Sequence, residues 1–144
     1  MSVKKEEIHM VKLIAGKKGS GKSKEIVRLA NECVKSSKGA SIFIDDDKRA
    51  MYDLHHSVRF INLEEFPIDK GDELIGFICG LISNNYDIEN IFIDGILNCI
   101  EIDMDQLPQW FHKLDDLSTA YDINFTITLS HDGALPERLH KFIA

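Results

Sequence analysis

The chain is short of several residue types, and each shortage narrows what it can be. Its three cysteines, Cys33, Cys79 and Cys99, are odd in number and form no CxxC pair, so neither a disulfide framework nor a Cys-ligated zinc site is indicated. Each lies inside an apolar helix or strand pattern and reads as a reduced small hydrophobe of a cytoplasmic protein. Three prolines and nine glycines exclude collagen-like and low-complexity chains. Long apolar runs are missing too. The longest, Leu74 to Ile82, is about half a membrane span, and the charged start MSVKKEEIHM lacks the apolar stretch of a secretory signal. Neither export nor anchoring is expected. Positive charge is scarce: 17 Lys and Arg stand against 24 Asp and Glu, for a net charge of −7, which argues against an extended nucleic-acid surface.

What is present is an ordinary globular composition, 44% hydrophobic and 28% charged, at a length that suits one domain spanning residues 1–144. No internal repeat or linker interrupts it, and apolar runs alternate in period. Met10 to Ala15, Ala40 to Ile44, the weaker Val58 to Leu63, Ile91 to Ile93 and Ile123 to Leu129 read as strands. Between them, Lys22 to Ser36 carries Ile26, Val27, Leu29, Ala30, Cys33 and Val34 on one helical stripe, and Leu107, Trp110, Phe111, Leu114, Leu117 and Tyr121 recur on another. Asp72 to Asn84 is apolar almost all round, which predicts a heavily buried helix between the sheet and other elements. Lys48 to His55 reads as a short helix or turn, and Pro136 opens a short terminal helix with Leu139, Phe142 and Ile143. Strands separated by helices imply a three-layer α/β/α sandwich around a mostly parallel five-stranded sheet. His55 and His56 are adjacent, should point apart, and are read as surface residues.

One motif carries chemistry. Gly16-Lys17-Lys18-Gly19-Ser20-Gly21-Lys22-Ser23 matches GxxxxGK[ST] without deviation, between a predicted strand and a predicted helix, the context that gives the pattern meaning. Glycines allow a backbone path whose N–H groups point inward, and the following helix adds its free N-terminal donors and positive dipole end. Lys22 can reach outer phosphates as a point charge, and Ser23 offers a hydroxyl to a bridging Mg²⁺. Lys17 and Lys18 occupy the variable positions, adding positive potential at the mouth or simply being solvated. The expected phosphate-binding set is Gly16, Lys17, Lys18, Gly19, Ser20, Gly21, Lys22, Ser23 and Lys24.

On these residues the chain resembles a P-loop NTPase, with Gly16 to Ser23 as its Walker A motif and Ile91-Phe92-Ile93-Asp94 as its Walker B strand. It is similar to short stand-alone bacterial P-loop ATP-binding proteins of the RecA-like branch, and the resemblance covers almost the whole chain. It implies the P-loop NTPase fold, ATP as ligand or substrate, and Mg²⁺ at Ser23 and Asp94. Functional groups of parallel sheets gather at the carboxyl ends of strands, where this sequence offers Asp45, Asp46 and Asp47, then Asp94, then Ser130, His131 and Asp132. Lys22, Asp94, Asp45 and Ser130 are the residues expected to act. Thr128 or Ser130 resembles the family's γ-phosphate sensor, an element that favours placing the last strand between the P-loop and Walker B strands.

The departures matter as much. The hydrolytic branch carries a glutamate directly after the Walker B aspartate, and here Gly95 stands there. Asp45, Glu101, Asp103 and His131 are the remaining candidates for a base, and Arg49, Arg59 and Arg138 are free for the arginine-finger role, with surface salt bridging the favoured use of each. No NKxD sequence is present, so adenine nucleotide is expected over guanine. Three readings follow: a Mg·ATP-binding protein with weak or partner-dependent hydrolysis, a nucleoside or nucleotide kinase, and an interaction module whose apolar surface near Trp110, Phe111 or the terminal helix meets another chain, although core packing against the sheet is the favoured use of Trp110 and Phe111. An open edge strand makes a homodimer an expected partner.

Overall fold

The computed structural model describes residues 10–144. The predicted apolar runs become five strands, β1 (Val11–Gly16), β2 (Ala40–Asp45), β3 (Val58–Asn62), β4 (Ile88–Ile93) and β5 (Asn124–Ser130). They form one sheet in the order β1-β5-β4-β2-β3, and every pairing is parallel. The last strand thus lies between β1 and β4, the position its polar end favours.

Parallel neighbours need crossovers, and helices supply them on both faces. On one face α1 (Lys22–Val34) packs with the Arg49–Asp53 3₁₀ turn, burying Ile26, Ala30 and Ala50 over Phe43 and Phe92. On the other, α2 (Gly71–Asn84), the short α3 (Ile96–Cys99) and α4 (Leu107–Tyr121) enclose the larger core. Strand alternation sorts side chains between the two: Ile42, Ile44, Ile91 and Ile93 enter the large core, while Phe43 and Phe92 face α1. Phe43 stacks against Phe60 and Phe92 with centroids 6.2 and 6.3 Å apart. By the same parity Asp45 and Asp94, two residues beyond those phenylalanines, emerge on the α1 face at the carboxyl end of the sheet. Local signals mark the helix ends. Glu73 accepts the backbone N–H groups of Asp69 and Lys70 to start α2, and Asp122, at φ 58°, ends α4.

The α1 stripe stands as expected, with Ile26 and Ala30 fully buried and Val27, Leu29, Cys33 and Val34 packed half-covered against the same cluster. Several other expectations need correction. On α2 the buried stripe is Leu74, Ile78 and Ile82, with Cys79 exposed. An outer layer has nothing beyond it, so an all-apolar helix there still shows one face to solvent. Trp110 and Phe111 are 3% and 0% exposed, which removes them from any partner surface. The large exposed aromatics lie elsewhere, notably Tyr86 and Tyr121, beside a cavity between the ends of α2 and α4; Tyr121, expected on the apolar stripe of α4, is exposed because it is the helix's last residue. His55 and His56 do not diverge; their rings stack at 4.3 Å. The terminal segment is a 3₁₀ turn, Glu137–Phe142, that buries Leu139 and Phe142 but leaves Ile143 partly exposed. Ile143 and Ala144 run beside Leu13 on the outer side of β1, so among the described residues β3 is the open edge.

Candidate functional site

A cavity of about 490 Å³ opens between the 16–23 loop and the ends of β2, β4 and β5. The loop is shaped by its glycines: Gly19 and Gly21 have φ of +83° and +91°, left-handed values that side chains resist, and Gly21 leads directly into α1. Ser20 N–H closes a turn onto the Lys17 carbonyl at 3.2 Å. The Lys22 ammonium folds back over this turn, donating to the Lys17 carbonyl at 2.7 Å and to Ser20 Oγ at 3.3 Å. Lys18, Gly19, Gly21, Lys22, Ser23 and Lys24 line the cavity. Gly16, Lys17 and Ser20 do not; they form the turn behind it.

The opposite wall is built by strand register. Ile44 pairs with Ile93 and Ile93 with Ile127, so one residue further on Asp45, Asp94 and Thr128 lie side by side. Asp94 is 6% exposed and Thr128 1%. Thr128 Oγ1 donates to Asp94 Oδ1 and accepts the Gly95 N–H, both at 2.6 Å. One hydroxyl therefore orients the carboxylate and ties β5 to the turn after β4. Replacing Thr128 by valine would strand two buried polar groups, and a loss of about 2 kcal/mol in urea unfolding is expected, largely recovered by Thr128→Ser. A loss within error of zero would show that water replaces the hydroxyl at no cost.

Asp45 is the second buried carboxyl, 6% exposed, accepting the Asp46 N–H at 2.7 Å. Burial above all, then the Asp46 carboxyl and the charges of Asp94 and Asp47, push its pKa up to about 8. Asp47 behaves oppositely: its hydrogen bond and ion pair with Arg49, 2.9 Å, hold it below the usual range. The aspartate run thus divides into a buried proton-binding group and a paired surface charge.

Gly95 stands where the resemblance to the hydrolytic branch implied a glutamate after Asp94, and the backbone suits glycine. Its φ of +69° starts α3 in the left-handed region, and a Cβ there would sit 3.1 Å from Asn98 Nδ2. A side chain at this position needs a different turn. Cys99, next to this turn, has its thiol within 3.6 Å of the Asp94 carbonyl, and burial together with the aspartates pushes its pKa up, keeping it protonated.

Ser130 reaches the rim of the cavity and is exposed. Of the proposed bases only Asp45 lines it. Glu101 pairs with the Lys70 backbone at another cavity near the start of α2, while the His131 N–H is spent on the Gly16 carbonyl. Arg49 reaches the cavity but is tied to Asp47, and Arg59 donates to Asn85. Sequence reading missed Asn98, which carries no local signal. Strand register separates Thr128, beside Asp94, from Ser130 at the rim, a distinction no local pattern makes.

No protein-family model and no curated protein matches the chain. Its architecture is that of a Rossmann-like or P-loop-like α/β/α sandwich with a parallel five-stranded sheet. Among the described residues no helix is long and apolar enough to cross a membrane.

Proposed function

We propose that the chain is a P-loop protein that binds Mg·ATP and whose ATP hydrolysis is weak or depends on a partner. The observation that carries this reading is the cavity itself: a lysine and the start of a 13-residue helix on one wall, buried Asp94 on the other. A helix N-terminus and a turn rich in backbone N–H groups favour anions. Two hard oxygen donors, Ser23 and Asp94, line the same space and suit Mg²⁺; held there, the ion would neutralise charge on the outer phosphates. With this reading Gly16 to Ser23 is the Walker A motif and Asp94 the Walker B aspartate of a RecA-like P-loop domain. Slow turnover follows from Gly95, which leaves Asp45 as the one nominated base at the cavity. A base with a pKa near the working pH is effective only when something orients its substrate.

The test is calorimetric titration of ATP and of a non-hydrolysable analogue with Mg²⁺, followed by phosphate release on the same samples. Micromolar binding with turnover well below about 1 per second is expected; absence of binding overturns the reading. The open edge of β3 supports the homodimer as partner, and a purely monomeric mass at high micromolar concentration would sink that part.

A further inference from the structure

A second cavity, about 500 Å³, adjoins the first and shares Ser23, Lys24, Asp45, Arg49 and Asp94 with it. Its own walls are Val27, Arg28 and Asn31 of α1 facing Ala50 and Asp53 of the 49–53 turn. The gap is built into the fold. Asn31 donates to the Asp53 carbonyl at 2.9 Å and accepts the His55 N–H at 2.7 Å, stapling the turn to α1. The volume suits a small organic molecule.

Its chemistry narrows the occupant. Arg28 grips both carboxylate oxygens of Glu25, at 3.0 and 2.8 Å, and Arg49 is held by Asp47 at 2.9 Å. Both guanidinium charges are met, so an anion gains little there, while fixed guanidinium planes remain able to stack on a ring. Val27 and Ala50 add apolar surface, and the Asp53 carboxylate offers an acceptor for N–H or O–H groups. Phosphates running from the loop toward Asp94 would present their terminal group at the shared wall, where Asp45 stands between the two cavities.

We infer that the cavity between α1 and the 49–53 turn seats an uncharged nucleoside whose hydroxyl accepts the terminal phosphoryl group of ATP. The inference rests on the Mg·ATP reading and supplies its missing second substrate. The hydroxyl oxygen attacks the γ-phosphorus, forming a new O–P bond while the bond from that phosphorus to the β–γ bridging oxygen breaks. ADP leaves with the electron pair, and the hydroxyl proton passes to Asp45 in those molecules where its carboxyl is ionised, so transfer should rise with pH as that group loses its own proton. Gly95 in place of a water-activating glutamate then serves the reaction, because bound ATP is not lost to water while the acceptor site is empty.

The experiment incubates the full chain with Mg²⁺ and γ-labelled ATP and with adenosine, guanosine, cytidine, uridine or thymidine, following label into nucleoside monophosphate and into phosphate. Transfer to at least one nucleoside about tenfold or more faster than phosphate release is expected. Val27→Phe, which fills the second cavity from α1, should cut transfer by about 30-fold or more while ATP affinity stays within about threefold. Ala50→Leu does the same from the other wall, and a thermal melt checks that each variant is folded. If ATP binds but the label goes only to phosphate with all five nucleosides, the inference is overturned and the Mg·ATP reading stands. If ATP does not bind, that reading itself has failed.

Discussion

Lys22→Ala is expected to weaken Mg·ATP binding by about 100-fold, close to 3 kcal/mol, with almost no change in the stability of the free protein. The two effects separate because of where the ammonium sits. In the free protein it donates to the Lys17 carbonyl and Ser20 Oγ, both at the exposed loop surface, where water replaces a lost bond at a cost of about 1 kcal/mol or less. With phosphates in the loop the same ammonium would meet concentrated negative charge, and charge-assisted contacts of that kind are worth about 2–5 kcal/mol when one partner is removed. Calorimetric titration beside a urea melt reads both quantities on one preparation. Affinity within threefold of the parent would mean that Lys22 never leaves its loop carbonyl, and the loop would then be a structural turn.

The second large effect concerns Asp45 and has the opposite sign. In the folded chain burial and neighbouring carboxyls raise its pKa to about 8, from an ordinary 3.8. Between those values the folded state holds a proton that the unfolded state has released, so stability falls as pH rises through that window. Below it the group costs nothing; above it the full penalty is present. Asp45→Asn keeps the shape and removes the charge, so at pH 8 and without divalent cation the variant is expected to be more stable by about 1–3 kcal/mol, discounted because the carboxyl faces an open cavity. At pH 4 the two proteins should unfold alike. Urea titrations at the two pH values decide it: equal destabilisation at both would show that the carboxyl is held by hydrogen bonds rather than strained by burial. The same substitution should lower any phosphoryl transfer, a trade of function against stability familiar at active sites.

Much of the fold is legible because its signals are local. The runs that became β1, β2 and β4 are short, apolar and bounded by glycine or aspartate, so period and length identify them without knowledge of their neighbours. The 16–23 loop is equally readable, since all eight of its residues are glycine, lysine or serine, with the glycines at spacings that a plain turn does not require. Errors arose where exposure depends on what lies outside an element. Cys79 and the outer face of α2 look buried by composition, because hydropathy records a preference for burial and not which layer a helix occupies; the same preference places Trp110 correctly in the core. The stacked rings of His55 and His56 follow from a turn whose path no periodicity reports.

By itself the sequence determined the alternation of strands and helices, the glycine-rich 16–23 loop and the presence of acidic groups at strand ends, since all three are short-range patterns. Tertiary structure decided which of those groups meet. Asp45, Asp94 and Thr128 are 83 residues apart from first to last in the chain, and only parallel pairing in the order β1-β5-β4-β2-β3 sets them in a row. The left-handed turn at Gly95 and the second cavity under Asn31 have the same origin. Register and packing are long-range choices, made by burying whole faces of the sheet, and no single segment encodes them.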